Sequence, residues 1–150
     1  MSVSKKLLQA AAGQGVSEGL DVDQVFSTFV YDGSSSAQTI NNGIDLSEGG
    51  LVWIKHRNGS SQHALFDTER GVLKGLSSSS TASEANETGS VTAFNSNGFT
   101  LGTWSGVNYN NYDYASWTFR RSPMFDIQTW TGNGATTQIS HSLGSTPGFW

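Results

Sequence analysis

From Val25 onward the side chains alternate with a period of two, and Gly- and Asn-rich turns cut the alternation at short intervals. Residues two apart share one face of a strand. A chain that keeps this period and turns so often is confined to antiparallel β architecture. Phe26 to Tyr31 predicts a strand, Asp32-Gly33-Ser34-Ser35-Ser36 a turn, and Ala37 to Ile40 a second strand, together a hairpin. Leu51 to Lys55 is apolar on both faces, which predicts a central strand buried on both sides, and Gln62 to Phe66 follows the Asn58-Gly59 turn. Val91 to Phe94 and Phe99 to Leu101 flank Asn95-Ser96-Asn97-Gly98, a hairpin signal. In Tyr114 to Arg120, Ala115, Trp117 and Phe119 face one way, and Ser116, Thr118 and Arg120 the other. Trp53, Trp117 and Trp130 are expected to pack in the core or between the sheets. These elements predict an all-β sandwich or barrel.

Two stretches interrupt the strands. Residues Leu76 to Ser90 are poor in apolar side chains and predict a long surface loop, and Val107 to Tyr114 is a second loop rich in Asn and Tyr. Ahead of the strands, Ser4 to Ala12 is the single helical pattern. Ser4 caps it, Leu7, Leu8, Ala11 and Ala12 form its stripe, and Gly13 and Gly15 end it. A helix this short is not stable alone. Residues 1–24 are therefore expected to be an anchoring arm that contacts a neighbouring subunit through Lys5, Lys6, Leu7, Leu8 and Ala11, with a frayed terminus as the alternative.

The end of the chain repeats its beginning. Phe125 matches Phe26, Trp130 matches Tyr31, Gly132 matches Gly33 and Ile139 matches Ile40. The first copy runs into Leu51 to Lys55, and the second reaches Trp150 where that strand would begin. Residues 25–123 are thus expected to form the body. Residues 124–150 are expected to be a repeated hairpin that starts a second module of a longer architectural protein or supplies edge strands.

Composition narrows the function. There are no cysteines, so disulfides and thiolate metal sites are excluded. The net charge is −4 with 13% charged residues, which argues against a nucleic-acid binder. No apolar run has the length of a membrane span, and the stretch after Lys5-Lys6 is too short for a secretory segment. Low charge with abundant small polar residues and aromatics is associated with all-β extracellular or virion proteins.

The runs GGLVWIKHRN (Gly49 to Asn58), LFDTERG (Leu65 to Gly71), VTAFNSNGFTLG (Val91 to Gly102), YASWTFRRSP (Tyr114 to Pro123) and SHSLGSTPG (Ser140 to Gly148) carry a resemblance. In this order they resemble the concanavalin A-like, lectin/glucanase-type jelly-roll module of tailed-bacteriophage structural proteins, of the marine and cyanophage type. The resemblance spans Val25 to Trp150, and the opening KKLLQAAAG is similar as well. It implies a jelly-roll β-sandwich and a non-enzymatic virion structural protein on the particle surface. The first expectation is a tail fibre or tail appendage held by its N-terminal arm, and the alternative is a head-decorating, knob-like capsid protein. The partners implied are other tail or capsid subunits and further copies of the chain, as in a trimer. No cofactor, metal, nucleic acid or membrane insertion is expected. The pattern of the resemblance continues past PGFW into a further module, and here the chain departs from it.

Jelly-roll glucanases need two carboxylates along one strand. The nearest match is Asp67-Thr68-Glu69, but Arg70 and Gly71 follow at once, so a turn held by an Arg70 fork is expected, and no hydrolase. His56, His63 and His141 lack metal-ligand spacing, and His56 and His63 are expected to face each other across the Asn58-Gly59 turn. Asp21, Asp23 and Asp45 do not form a calcium-loop pattern. Arg120 and Arg121 read either as a strand end paired with Asp126 or Asp113, or as interface arginines. The one ligand-binding pattern is Asn108, Asn110, Asn111 and Asp113 among Trp104, Tyr109, Tyr112 and Tyr114. These residue types stack on a sugar ring and hydrogen-bond its hydroxyls, and they equally suit a protein contact. Together with Leu76 to Ser90 they give the third reading, a carbohydrate-binding, host-attachment module.

Overall fold

The computed structural model describes residues 20–150. The expected arm helix and its contacts Lys5, Lys6, Leu7, Leu8 and Ala11 lie outside the described residues. A one-turn helix α1 (Val22–Val25) leads into β1 (Phe26–Asp32), followed by β2 (Gln38–Asn41), a 3-10 turn (Leu46–Glu48), β3 (Gly50–His56) and β4 (Ala64–Asp67). Next come two short strands, β5 (Lys74–Gly75) and β6 (Ala85–Asn86), the hairpin β7 (Val91–Asn95) and β8 (Gly98–Leu101), a one-turn helix α2 (Ser105–Asn108) and β9 (Asp113–Arg120).

The strands form two packed antiparallel sheets. One has the order β1-β9-β3-β4, the other β2-β8-β7, and β5-β6 makes a small ribbon bridged to β4 through Leu65 and Leu76. The expected β1–β2 hairpin is not formed, because its two strands enter different sheets. Gly33 explains the divergence. Its N–H donates to Tyr112 O at 2.8 Å, and a Cβ at this position would collide with the backbone of Tyr109. The chain is drawn under the later loop instead of folding back on itself. The β7–β8 hairpin forms as expected, and Gly98 holds φ +117° where a side chain would strike the Ile40 carbonyl.

Val52, Ile54 and Phe66 from the first sheet meet Ile40, Val91, Phe99 and Leu101 from the second, with Ile44, Leu46 and Val107 closing the ends. Each such fully buried side chain contributes roughly 1.5–3 kcal/mol relative to exposure. The inward face of β9 carries the core ring of Tyr114 at one end and is polar beyond it. Ser116 and Thr118 are fully buried, Asn42 Nδ2 donates to Thr118 Oγ1 at 2.7 Å, and Ser116 Oγ donates to Phe29 O at 3.4 Å. Small residues here let the second sheet approach. Trp53 and Trp117 correspondingly sit half-buried on the outer face, 5.7 Å apart, while Trp130 is 65% exposed. The expectation of inter-sheet tryptophans is therefore corrected, as is that of β3 buried on both sides. Leu51, Trp53 and Lys55 are only partly covered.

Residues 126–150 contain no strand, so the repeated hairpin is not formed within the chain. The segment starts from a polar clamp. Arg121 Nε pairs with Asp126 Oδ1 at 3.0 Å and its Nη2 with Glu69 Oε1 at 2.6 Å, while Ser142 N–H donates to Asp126 Oδ2 at 2.7 Å. Burial by itself would raise the Asp126 pKa, but donation from Ser142, Gln128 and Ile127 outweighs it and holds the carboxyl well below the usual range.

Candidate functional site

Two loops that are distant in sequence meet over β4 and enclose a groove of about 600 Å³. This size suits a small-molecule or saccharide site. One wall comes from α2 and the loop after it, with Trp104, Tyr109 and Tyr112. The other comes from the long polar segment, with Leu76, Ser77, Ser83 and Glu87, and Phe66 lies at the base. Ser61, Gln62 and His63 line the end next to β4. The groove therefore combines aromatic faces with hydroxyl, amide and carboxylate groups.

The aromatic wall is fixed from behind. Tyr31 and Tyr114 stack at 5.2 Å in the core, and their hydroxyls reach the loop backbone. Tyr31 Oη donates to Val107 O at 2.8 Å, and Tyr114 Oη donates to Ser105 O at 3.0 Å while accepting from Tyr109 N–H at 2.9 Å. Tyr112 lies on the His56 ring with centroids 4.1 Å apart and meets Tyr109 at 5.0 Å. Trp104 stands edge-on to Phe66 at 6.3 Å. A wall held this way loses little entropy when a ligand arrives.

Burial raises the pKa of Tyr31 well above the ordinary tyrosine value, with the neighbouring Tyr114 adding to it. Burial also raises that of Tyr114. A tyrosine raised on folding contributes stability that is fully present below the unfolded value of about 10 and is lost as pH rises through the folded value. In an alkaline titration followed by tyrosinate absorbance, Tyr31 and Tyr114 should ionise only together with the loss of near-ultraviolet circular dichroism. Ionisation of all four tyrosines while the fold signal persists would contradict the buried pair.

The seven residues singled out in sequence divide into three groups. Trp104, Tyr109 and Tyr112 line the groove. Asn110, Asn111 and Asp113 lie on the same loop but outside the lining; Asn110 N–H donates to Ser35 Oγ at 2.8 Å, and Asp113 N–H to Asn58 Oδ1 at 3.1 Å. Asn108 points inward and is fully buried. Its Oδ1 accepts from Ser34 N–H at 2.8 Å and Gln38 Nε2 at 2.6 Å, and its Nδ2 donates to Ser36 O and Gly102 O, both at 2.6 Å. Its amide is consumed inside the protein, so the expectation that it binds ligand is corrected.

The other sequence candidates also find definite places. Arg70 forks onto Asp67 as expected, with Nε donating at 2.6 Å and its backbone N–H at 2.9 Å. His56 and His63 do not face each other. His56 points to the inner face against Tyr112, while His63 Nδ1 accepts from Trp53 Nε1 at 2.8 Å on the outer side. The contributions of Phe66, Gln62 and His63 to the groove were not anticipated, because they arrive from β4 and the approach to it. The fit of residues 76–90 against α2 and the loop after it has no signal in the sequence beyond the polar composition of the two stretches.

A family model described as a domain of unknown function, DUF7483, matches residues 21–150. The chain belongs to the DUF7483 family. The match includes every strand of both sheets and the whole groove of this DUF7483 chain. No curated protein and no solved structure matches it.

Proposed function

We propose that the β body is a non-catalytic, carbohydrate-binding module, and that it is borne on a tailed-phage virion as part of a tail fibre or tail appendage. The observation that carries the glycan reading is the convergence of three aromatic side chains with serines, Gln62 and Glu87 on one groove. Pyranose rings present apolar faces that lie against aromatic rings, and their hydroxyls need donors and acceptors at the margin. The virion setting rests on the resemblance of the five sequence runs. The finer fold assignment, a concanavalin A-like jelly roll, is supported by two packed antiparallel sheets between which the chain crosses from β1 to β2, from β2 to β3 and from β8 to β9. The non-catalytic reading is supported by Asp67 and Glu69, the nearest carboxylate pair, each being held by an arginine.

The test is binding of bacterial-surface oligosaccharides, screened on an array and quantified by calorimetry. The wild-type chain should bind, and Tyr109→Ala/Tyr112→Ala should weaken it at least about tenfold, which corresponds to ~1.4 kcal/mol. Failure of the wild-type chain to bind any glycan, or full affinity in the double variant, would overturn the glycan reading.

A further inference from the structure

We propose that residues 126–131 form an intermolecular strand, pairing with the edge of β1 that no described strand covers, in a second copy of this chain. Among the described residues β1 is an edge strand, paired with β9 alone. It is seven residues long, its one charged residue is Asp32 at the end, and it leaves Val30 58% and Phe29 36% exposed. Such an edge is a ready template for another strand. The same molecule holds a segment with a strand pattern and no strand. Phe125 to Thr131 repeats the spacing of Phe26 to Asp32 at its two aromatic ends, Phe125 on Phe26 and Trp130 on Tyr31, with Gln128 where β1 has Phe29, and it ends like β1 before a glycine. In the first copy that pattern buries Tyr31 against Tyr114; in the second, Trp130 stays 65% exposed. A sequence able to form a strand is thus left without a sheet.

The positions suit an exchange between copies. β9 pairs Phe119 with Phe26, and Phe125 stacks on Phe119 at 5.0 Å, so the segment emerges beside one end of β1. The Arg121–Asp126 pair fixes this exit point. Two copies related by a two-fold axis can each donate one segment and accept the other, and the assembly then closes with both edges covered. A second copy is the fitting partner because the described residues of one copy carry both the donor segment and the acceptor edge.

The experiment measures the mass of the full chain in solution at micromolar concentration by light scattering coupled to gel filtration. The expected value is twice the 16.0 kDa of the chain. Thr129→Pro/Trp130→Pro removes two adjacent N–H groups, which point to opposite sides of a strand, so one of them belongs to the new pairing. This variant should return the mass to that of one chain and keep a folded body, seen as a cooperative thermal transition, because the segment holds no strand in the single copy. Val30→Lys, on the acceptor side, should do the same. A full chain that stays at single mass, or variants that remain at double mass, would overturn the proposal.

Discussion

Asn108→Asp should lower the melting temperature by roughly 10 °C, although it changes one atom type. The side chain sits where the loop after α2 meets the turn after β1, and it makes both of its donations to carbonyls, Ser36 O and Gly102 O, at 2.6 Å. A carboxylate cannot donate, and it would press two acceptors against two others in a fully buried site. Leaving buried polar groups unpaired costs about 1–3 kcal/mol each. A total near 3 kcal/mol corresponds to about 10 °C in a domain of this size. Asn108→Ala should be similarly harmful, because Ser34 N–H and Gln38 Nε2 lose their acceptor. Calorimetry of the two variants decides the matter. A shift below about 2 °C would mean that the network does not hold the loop.

Phe66→Ala should cost about 3–5 kcal/mol, the usual penalty for emptying a fully buried aromatic site. Phe66 is wholly buried among the core residues and stands edge-on to Trp104 above it. Its removal should therefore destabilise the body and loosen one wall of the groove, so urea unfolding and a red shift of tryptophan emission should change together. Loss of less than about 1 kcal/mol would place the ring outside the well-packed core.

Most strands could be read from the alternation, and the β7–β8 hairpin from its turn. What stayed hidden were relations between strands. A period of two tells which side chains share a face but not which face turns inward, so on β9 the tryptophan row was assigned to the interior that Ser116 and Thr118 occupy. The Asp32-Gly33 turn announced a reversal, but its direction depends on a meeting with Tyr109 and Tyr112, far along the chain. The site was half legible for the same reason. Aromatic residues near a loop attract attention wherever they point, and Trp104, Tyr109 and Tyr112 do reach the groove. Asn108 has the same residue type as a sugar ligand, and only the approach of Ser34, Ser36 and Gln38 turns it into a strut.

The two walls of the groove are unequally made. The wall with Trp104, Tyr109 and Tyr112 is tied to the interior by Tyr31, Tyr114 and Asn108, so its residues cannot be exchanged freely without disturbing the fold. The opposite wall, residues 77–84, is largely exposed and is attached mainly through the short β5–β6 ribbon. On the proposed glycan reading, one side of the recognition is inherited with the architecture and the other can be rewritten. Divergence among such proteins can therefore act like a change of jaw on a fixed vice, in which new selectivity arises by drift in a few serines while the body that carries them stays the same.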